Sequence, residues 1–143
     1  IFGHGFTYSG HPVPAAVALE TLNIYQERDI VAMVRTIAPV LQDGLRALAD
    51  HPLVGEVRGV GLIGAVEMVK DKKTREPFDA AAGVGPYLSG RLQEHGVITR
   101  VIGNTAAFAP PLVISAGEIG EMLGALKRAL DDTADWAARE GIV

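Results

Sequence analysis

The run Val57-Arg58-Gly59-Val60-Gly61-Leu62-Ile63-Gly64-Ala65-Val66-Glu67-Met68-Val69 constrains the fold more than any other stretch. It is rich in β-branched residues and has no helical period, so it reads as one long strand. Helical signals stand on both sides of it. Upstream, Pro12 and Pro14 suit the first turn of a helix, where the missing proline N–H costs nothing. Ala15, Ala18, Leu19, Leu22 and Tyr25 then share one face, and the alanines make this helix thin enough for close packing. Asp29 can cap a second helix with a stripe of Val34, Ile37, Leu41, Leu45 and Leu48. Pro39 lies inside that stripe and should kink it, and Pro52 should end it.

Downstream of the strand, Lys70-Asp71-Lys72-Lys73-Thr74-Arg75-Glu76-Pro77 reads as a solvated loop. Its lysines sit among counter-ions, unlike a Schiff-base lysine, which needs desolvation or a cationic neighbour to lower its pKa. Val84, Leu88 and Leu92 align on a helix over 80–95, with Gly96 as its stop. Residues 97–102 read as a strand, Gly103-Asn104 as a two-residue hairpin turn, and 105–109 as the partner strand. Pro110-Pro111 interrupts regular structure before Leu112-Val113-Ile114. Ser115-Ala116-Gly117-Glu118 is a capping box opening a last helix, with Ile119, Met122, Leu123, Leu126 and Leu130 turned inward. The order predicts an α/β domain in the α+β sense: a small, mostly antiparallel sheet covered by helices.

Composition narrows the function. A chain of 143 residues suits one domain spanning 1–143. Thirteen basic against seventeen acidic side chains give a net charge of −4, and no basic stripe appears, which argues against nucleic acid. There is no cysteine, in keeping with a reducing cytoplasm and without thiolate chemistry. No apolar run reaches membrane-spanning length. The chain opens inside a motif rather than at an initiator Met, so we read it as part of a longer polypeptide.

Four features invite chemistry. Gly59-Val60-Gly61-Leu62-Ile63-Gly64 matches G-x-G-x-x-G, with Asp79 at a tempting distance, but the glycines lie within a strand instead of opening a helix. Close packing of a helix on the sheet explains them better. His4 and His11 lack a third ligand for a metal, and Ser9 lacks the context of a nucleophile, so we assign no metal site and no catalytic residue. At the N-terminus, Phe2-Gly3-His4-Gly5-Phe6-Thr7-Tyr8-Ser9-Gly10-His11-Pro12 combines glycines, hydroxyls and a following helix N-terminus. It is either a phosphate cradle or a plain helix-entry turn. Strand alternation puts Arg100 beside Ile98 and Ile102, and a guanidinium among aliphatics needs an anion. That anion is either one of the seventeen carboxylates of the chain or a ligand.

The string F-G-H-G-F-T-Y-S-G-H-P and the small-residue helix behind it closely resemble the class III aminotransferases, nearest the ω-amino acid:pyruvate group. The V-R-G-V-G-L string, and the Arg100 that precedes a turn and Ala109-Pro110-Pro111-Leu112, fit the same family. The resemblance covers the whole chain. It implies the C-terminal part of a fold type I, pyridoxal-phosphate-dependent transferase, with the phosphate loop and a linking helix at 1–50. It implies that Phe6 (amide) and Thr7 (hydroxyl and amide) contact the cofactor phosphate of a neighbouring subunit in a homodimer. It implies that Arg100 binds the carboxylate of an amino or keto acid. The lysine that holds the cofactor should lie upstream, leaving this segment inactive alone. An aminomutase or racemase on the same scaffold, or a non-catalytic interaction module, are the competing readings.

Overall fold

The computed structural model describes residues 3 and 5–143. Helix α1 (Pro12–Glu27) has proline in its first turn, as expected, and the His11 side chain accepts from the Val13 amide at its cap. No residue of α1 is buried. The alanine face predicted to pack closely is exposed along its length, and α1 meets α2. Helix α2 (Ile30–Arg46) is capped by Asp29, whose carboxylate accepts from the Ala32 amide. Leu41 and Leu45 are fully buried, and Val34, Ile37 and Leu48 pack against the same core. The helix runs through Pro39 as one element and stops at Arg46, well short of Pro52. Turns carry the chain from there to the sheet.

The predicted long strand is two strands. Strand β1 (Val54–Val60) pairs antiparallel with β2 (Ile63–Met68) through the Gly61-Leu62 turn. Gly61 has φ +59° and Leu62 does not share the positive sign, the pattern of a two-residue turn with glycine first. The buried Gln42 of α2 holds this turn, donating its amide to the Gly61 and Ile63 carbonyls at 2.9 and 3.1 Å. A Cβ on Gly64 would overlap the Leu45 side chain, so here the glycine does allow helix and sheet to approach closely.

The charged segment 70–77 is exposed throughout. A short 3₁₀ turn (Ala80–Ala82) leads into α3 (Val84–Glu94), whose Val84, Leu88 and Leu92 are buried as the spacing required. Strand β3 is shorter than predicted, only Arg100–Ile102. It pairs antiparallel with β4 (Thr105–Phe108) across the Gly103-Asn104 turn. The capping box of Ser115 and Glu118 opens α4 (Ala116–Arg139), which buries Ile119, Leu126 and Leu130.

The sheet is fully antiparallel with strand order β1-β2-β4-β3. Helices α2 and α3 cover one face of it, and α4 lies against both helices. On the covered face Val66 and Ala106 are fully buried, with Val101 beside them in register. At the α3–α4 contact Tyr87 stacks on Trp136, with centroids 4.2 Å apart. Asp132 accepts from Arg91 at 3.1 Å and lies 2.8 Å from His95. The hydrogen bond with His95, backed by Arg91, holds the Asp132 carboxyl below the usual range.

Candidate functional site

The first candidate region precedes α1. The Ser9 amide donates to the Phe6 carbonyl at 3.0 Å and the His11 amide to the Tyr8 carbonyl at 3.1 Å, folding 6–10 into consecutive turns. Phe6 and Thr7 are both exposed, Phe6 at 70%. His11 is occupied as the α1 cap, which accounts for it without a metal; His4 lies outside the described residues. Among the described residues no group of three or more His, Asp or Glu could hold a metal ion.

The second region is the uncovered face of the sheet. Register places Arg58, Ala65, Ala107 and Arg100 in one row across all four strands. Arg58 is neutralised by neighbours on the same sheet, 2.5 Å from Glu67 and 3.9 Å from Glu56. The two alanines give the row a low floor between the arginines. Arg100 is exposed and enters no ion pair among the described residues. Arg100 is thus not the guanidinium buried among aliphatics that strand alternation suggested. Ile98 and Ile102 share its exposure at 90% and 58%, because the helices lie on the Val101 side of the sheet. An internal carboxylate partner is likewise not what Arg100 has. What it offers is a hydrated guanidinium free to make paired hydrogen bonds to a ligand carboxylate.

Arg100 is nonetheless firmly mounted. Thr99, on one side, donates its hydroxyl to the Ala107 carbonyl. On the other side, Asn104 donates from Nδ2 to the Phe78 carbonyl at 2.9 Å, and its own carbonyl accepts from the Met68 amide at 2.8 Å. Sequence reasoning found the Gly103-Asn104 turn but not this link to the segment before α3. The only cue was an asparagine rather than a second glycine in the turn.

The two candidate regions stand on separate elements. Helix α1 leads directly into α2, which lies over β1 and β2, whereas Arg100 belongs to β3 at the other edge of the sheet. None of the four lysines, Lys70, Lys72, Lys73 and Lys127, is buried. Lys72 donates to the Ala49 and His51 carbonyls, and Lys127 pairs with Asp131 at 2.7 Å. A desolvated lysine fit to bind a carbonyl carbon is absent from the described residues.

The family model for class III aminotransferases matches residues 1–130. The chain belongs to the class III aminotransferases. A putrescine–pyruvate aminotransferase of Pseudomonas aeruginosa is 50% identical over 93% of this chain and 29% of its own length. A chloroplastic gamma aminobutyrate transaminase of Solanum lycopersicum is 47% identical over 92% of this chain and 25% of its own. Among solved structures, a thermostable omega transaminase mutant from Pseudomonas jessenii superposes with TM-score 0.86 at 50% identity. It covers 94% of this chain, which spans 30% of that structure. The chain thus spans between a quarter and a third of the length of these relatives.

The fold is the one that these transaminase structures share with it, and the family is pyridoxal-phosphate-dependent. The donor set in the turn ahead of α1 suits the phosphate end of that cofactor. A threonine hydroxyl on an exposed turn, ahead of the positive end of a helix, can receive an anion arriving from outside the chain.

Proposed function

We propose that this chain is the C-terminal small domain of a pyridoxal-phosphate-dependent aminotransferase. The complete enzyme would move an amino group from an amine or ω-amino acid to a keto acid such as pyruvate. The observation that carries the substrate assignment is Arg100: a strand-borne guanidinium, exposed, without an ion pair among the described residues, over a floor of two alanines. Such a group would hold the carboxylate of the acceptor, and the low alanine floor beside it would leave room for a carbon chain. Phe6 and Thr7 would hold the cofactor phosphate across a homodimer interface, Phe6 through its amide and Thr7 through its hydroxyl and amide.

When bound, pyridoxal phosphate supplies the electron sink that lets an amino group leave one carbon and join another. The residues of this chain bind and orient around it. The covalent anchor and the proton-transferring lysine come from outside the described residues, so the isolated 143-residue chain would not transaminate. The absence of cysteine fits a reducing compartment such as the cytoplasm. No helix among the described residues is long and apolar enough to cross a membrane.

The test is an assay of the complete polypeptide, supplied with pyridoxal phosphate, an amine donor and pyruvate. Stoichiometric alanine formation that stops without pyruvate supports the reading. Product formed without consumption of a keto acid would replace it with an aminomutase or racemase. Failure to take up the cofactor would overturn it altogether.

A further inference from the structure

Arg100 can discriminate for a carboxylate only if its strand is held in place, and β3 is a poor candidate to hold itself. It is three residues long and lies at the edge of the sheet, bonded on one side to β4. Its hairpin tip is not packed solid. A groove of about 380 Å³ opens between α3 and the hairpin, lined by Phe78, Gly85, Ser89, Val101, Gly103 and Asn104. Two contacts span that groove. The Asn104 side chain donates to the Phe78 carbonyl at 2.9 Å. Gly85, in the first turn of α3, lets the Gly103 carbonyl come so close that any Cβ there would overlap it. Val101 also reaches toward Gly85, so the residue next to Arg100 rests on the same helix turn.

We infer that Asn104 is a positioning residue for the acceptor carboxylate: it clamps the β3–β4 hairpin to the segment before α3 and so fixes the direction from which Arg100 reaches its ligand. Asn104 touches neither substrate nor cofactor in this assignment and acts through Arg100. The inference rests on the proposed role of Arg100, and the experiment separates the two. Without the clamp, the three-residue strand can shift on its open edge, and paired hydrogen bonding to a carboxylate is lost before general folding is.

The experiment measures kcat/KM of the complete enzyme for pyruvate and for butanal, an acceptor without a carboxylate, at saturating amine donor. The variants are Arg100→Ala, Asn104→Ala and Asn104→Leu, the last two also combined with Arg100→Ala. Asn104→Leu nearly keeps the shape of the side chain and removes the donor without adding a charge, so it reads the hydrogen bond even if Asn104→Ala fails to fold. The expected result is a fall of about fivefold in the pyruvate-to-butanal ratio for both Asn104 variants, about 1 kcal/mol. No further fall is expected on the Arg100→Ala background. If Arg100→Ala lowers the ratio but neither Asn104 variant does, or if both acceptors suffer equally, Asn104 is not a positioning residue while the Arg100 assignment stands. If Arg100→Ala itself leaves the ratio unchanged, the parent reading fails and this one with it.

Discussion

Replacing Arg100 by alanine tests the substrate assignment most directly, and its magnitude can be worked from the fold. The guanidinium has no ion pair among the described residues, so its removal strands no buried carboxylate. Its row neighbours, Ala107 and Ala65, are too small to lean on its alkyl stem. Folding stability should therefore change by no more than about 0.5 kcal/mol, as for exposed positions generally. Catalysis should not be spared. A charge-assisted hydrogen bond to a carboxylate contributes about 1.5–3 kcal/mol, which is roughly a 10- to 150-fold loss of kcat/KM for pyruvate. The loss should fall mainly on KM, because the contact grips the acceptor without touching its reacting carbon. Arg100→Lys should recover only part of it, since an ammonium keeps the charge but not the planar fork. Cofactor affinity should be unchanged in both. The assay is steady-state kinetics on the complete enzyme with pyruvate varied at saturating amine, alongside urea unfolding of the same preparations. A folded Arg100→Ala variant with pyruvate kcat/KM within about twofold of the parent would refute the reasoning, since even one net hydrogen bond to a charge should cost more.

Other expectations are as concrete. Thr7→Ala in the complete enzyme should weaken cofactor binding about tenfold or more, the value of a hydroxyl hydrogen bond to a charged phosphate; absorbance titration with pyridoxal phosphate measures it, and unchanged affinity would remove Thr7 from the site. Gln42→Met keeps the side-chain volume but loses both donations to the Gly61 and Ile63 carbonyls, so unfolding free energy should fall by about 1–3 kcal/mol with an unchanged urea m-value. A loss below about 0.5 kcal/mol would show that the turn does not depend on it. Burial holds the His51 pKa below its ordinary 6.5, while its Nδ1 accepts from the Leu53 amide and its Nε2 lies 3.4 Å from Asp131. As pH falls, the unfolded chain binds that proton first, so stability is fully present above about pH 6.5 and declines below it, toward the lowered folded pKa. Urea unfolding from pH 8 to 5 should show this decline, and His51→Gln should flatten it; an equal slope in the variant would clear His51 of the effect.

The parts of the fold that were legible in the sequence are those written in local chemistry. Asp29, the Ser115–Glu118 box and Pro12 each satisfy or remove a helix-end amide by themselves, so the helix starts could be read one residue at a time. The β1–β2 hairpin was not legible, because its turn is Gly61-Leu62 and Leu62 is itself buried at 4% exposure. The apolar run continues through the turn, and no polar turn residue marks it. The end of β3 at Arg100 was hidden for a different reason: the Thr99 hydroxyl takes the Ala107 carbonyl, a side chain standing in where a backbone pair was expected. Alternation correctly grouped Ile98, Arg100 and Ile102, yet periodicity cannot say which face the helices will cover. That depends on α3 meeting Val101, a long-range contact. What distinguishes Arg100 is therefore its mounting on a strand and not burial. Of the arginines without an ion pair among the described residues (Arg28, Arg35, Arg100, Arg128 and Arg139), Arg100 alone sits on a strand. The other four lie on helices or at a helix end, where a long side chain is free to wander in solvent. A guanidinium can select a carboxylate only if its base is fixed, and the sheet register, Thr99 and the Asn104 clamp together fix this one.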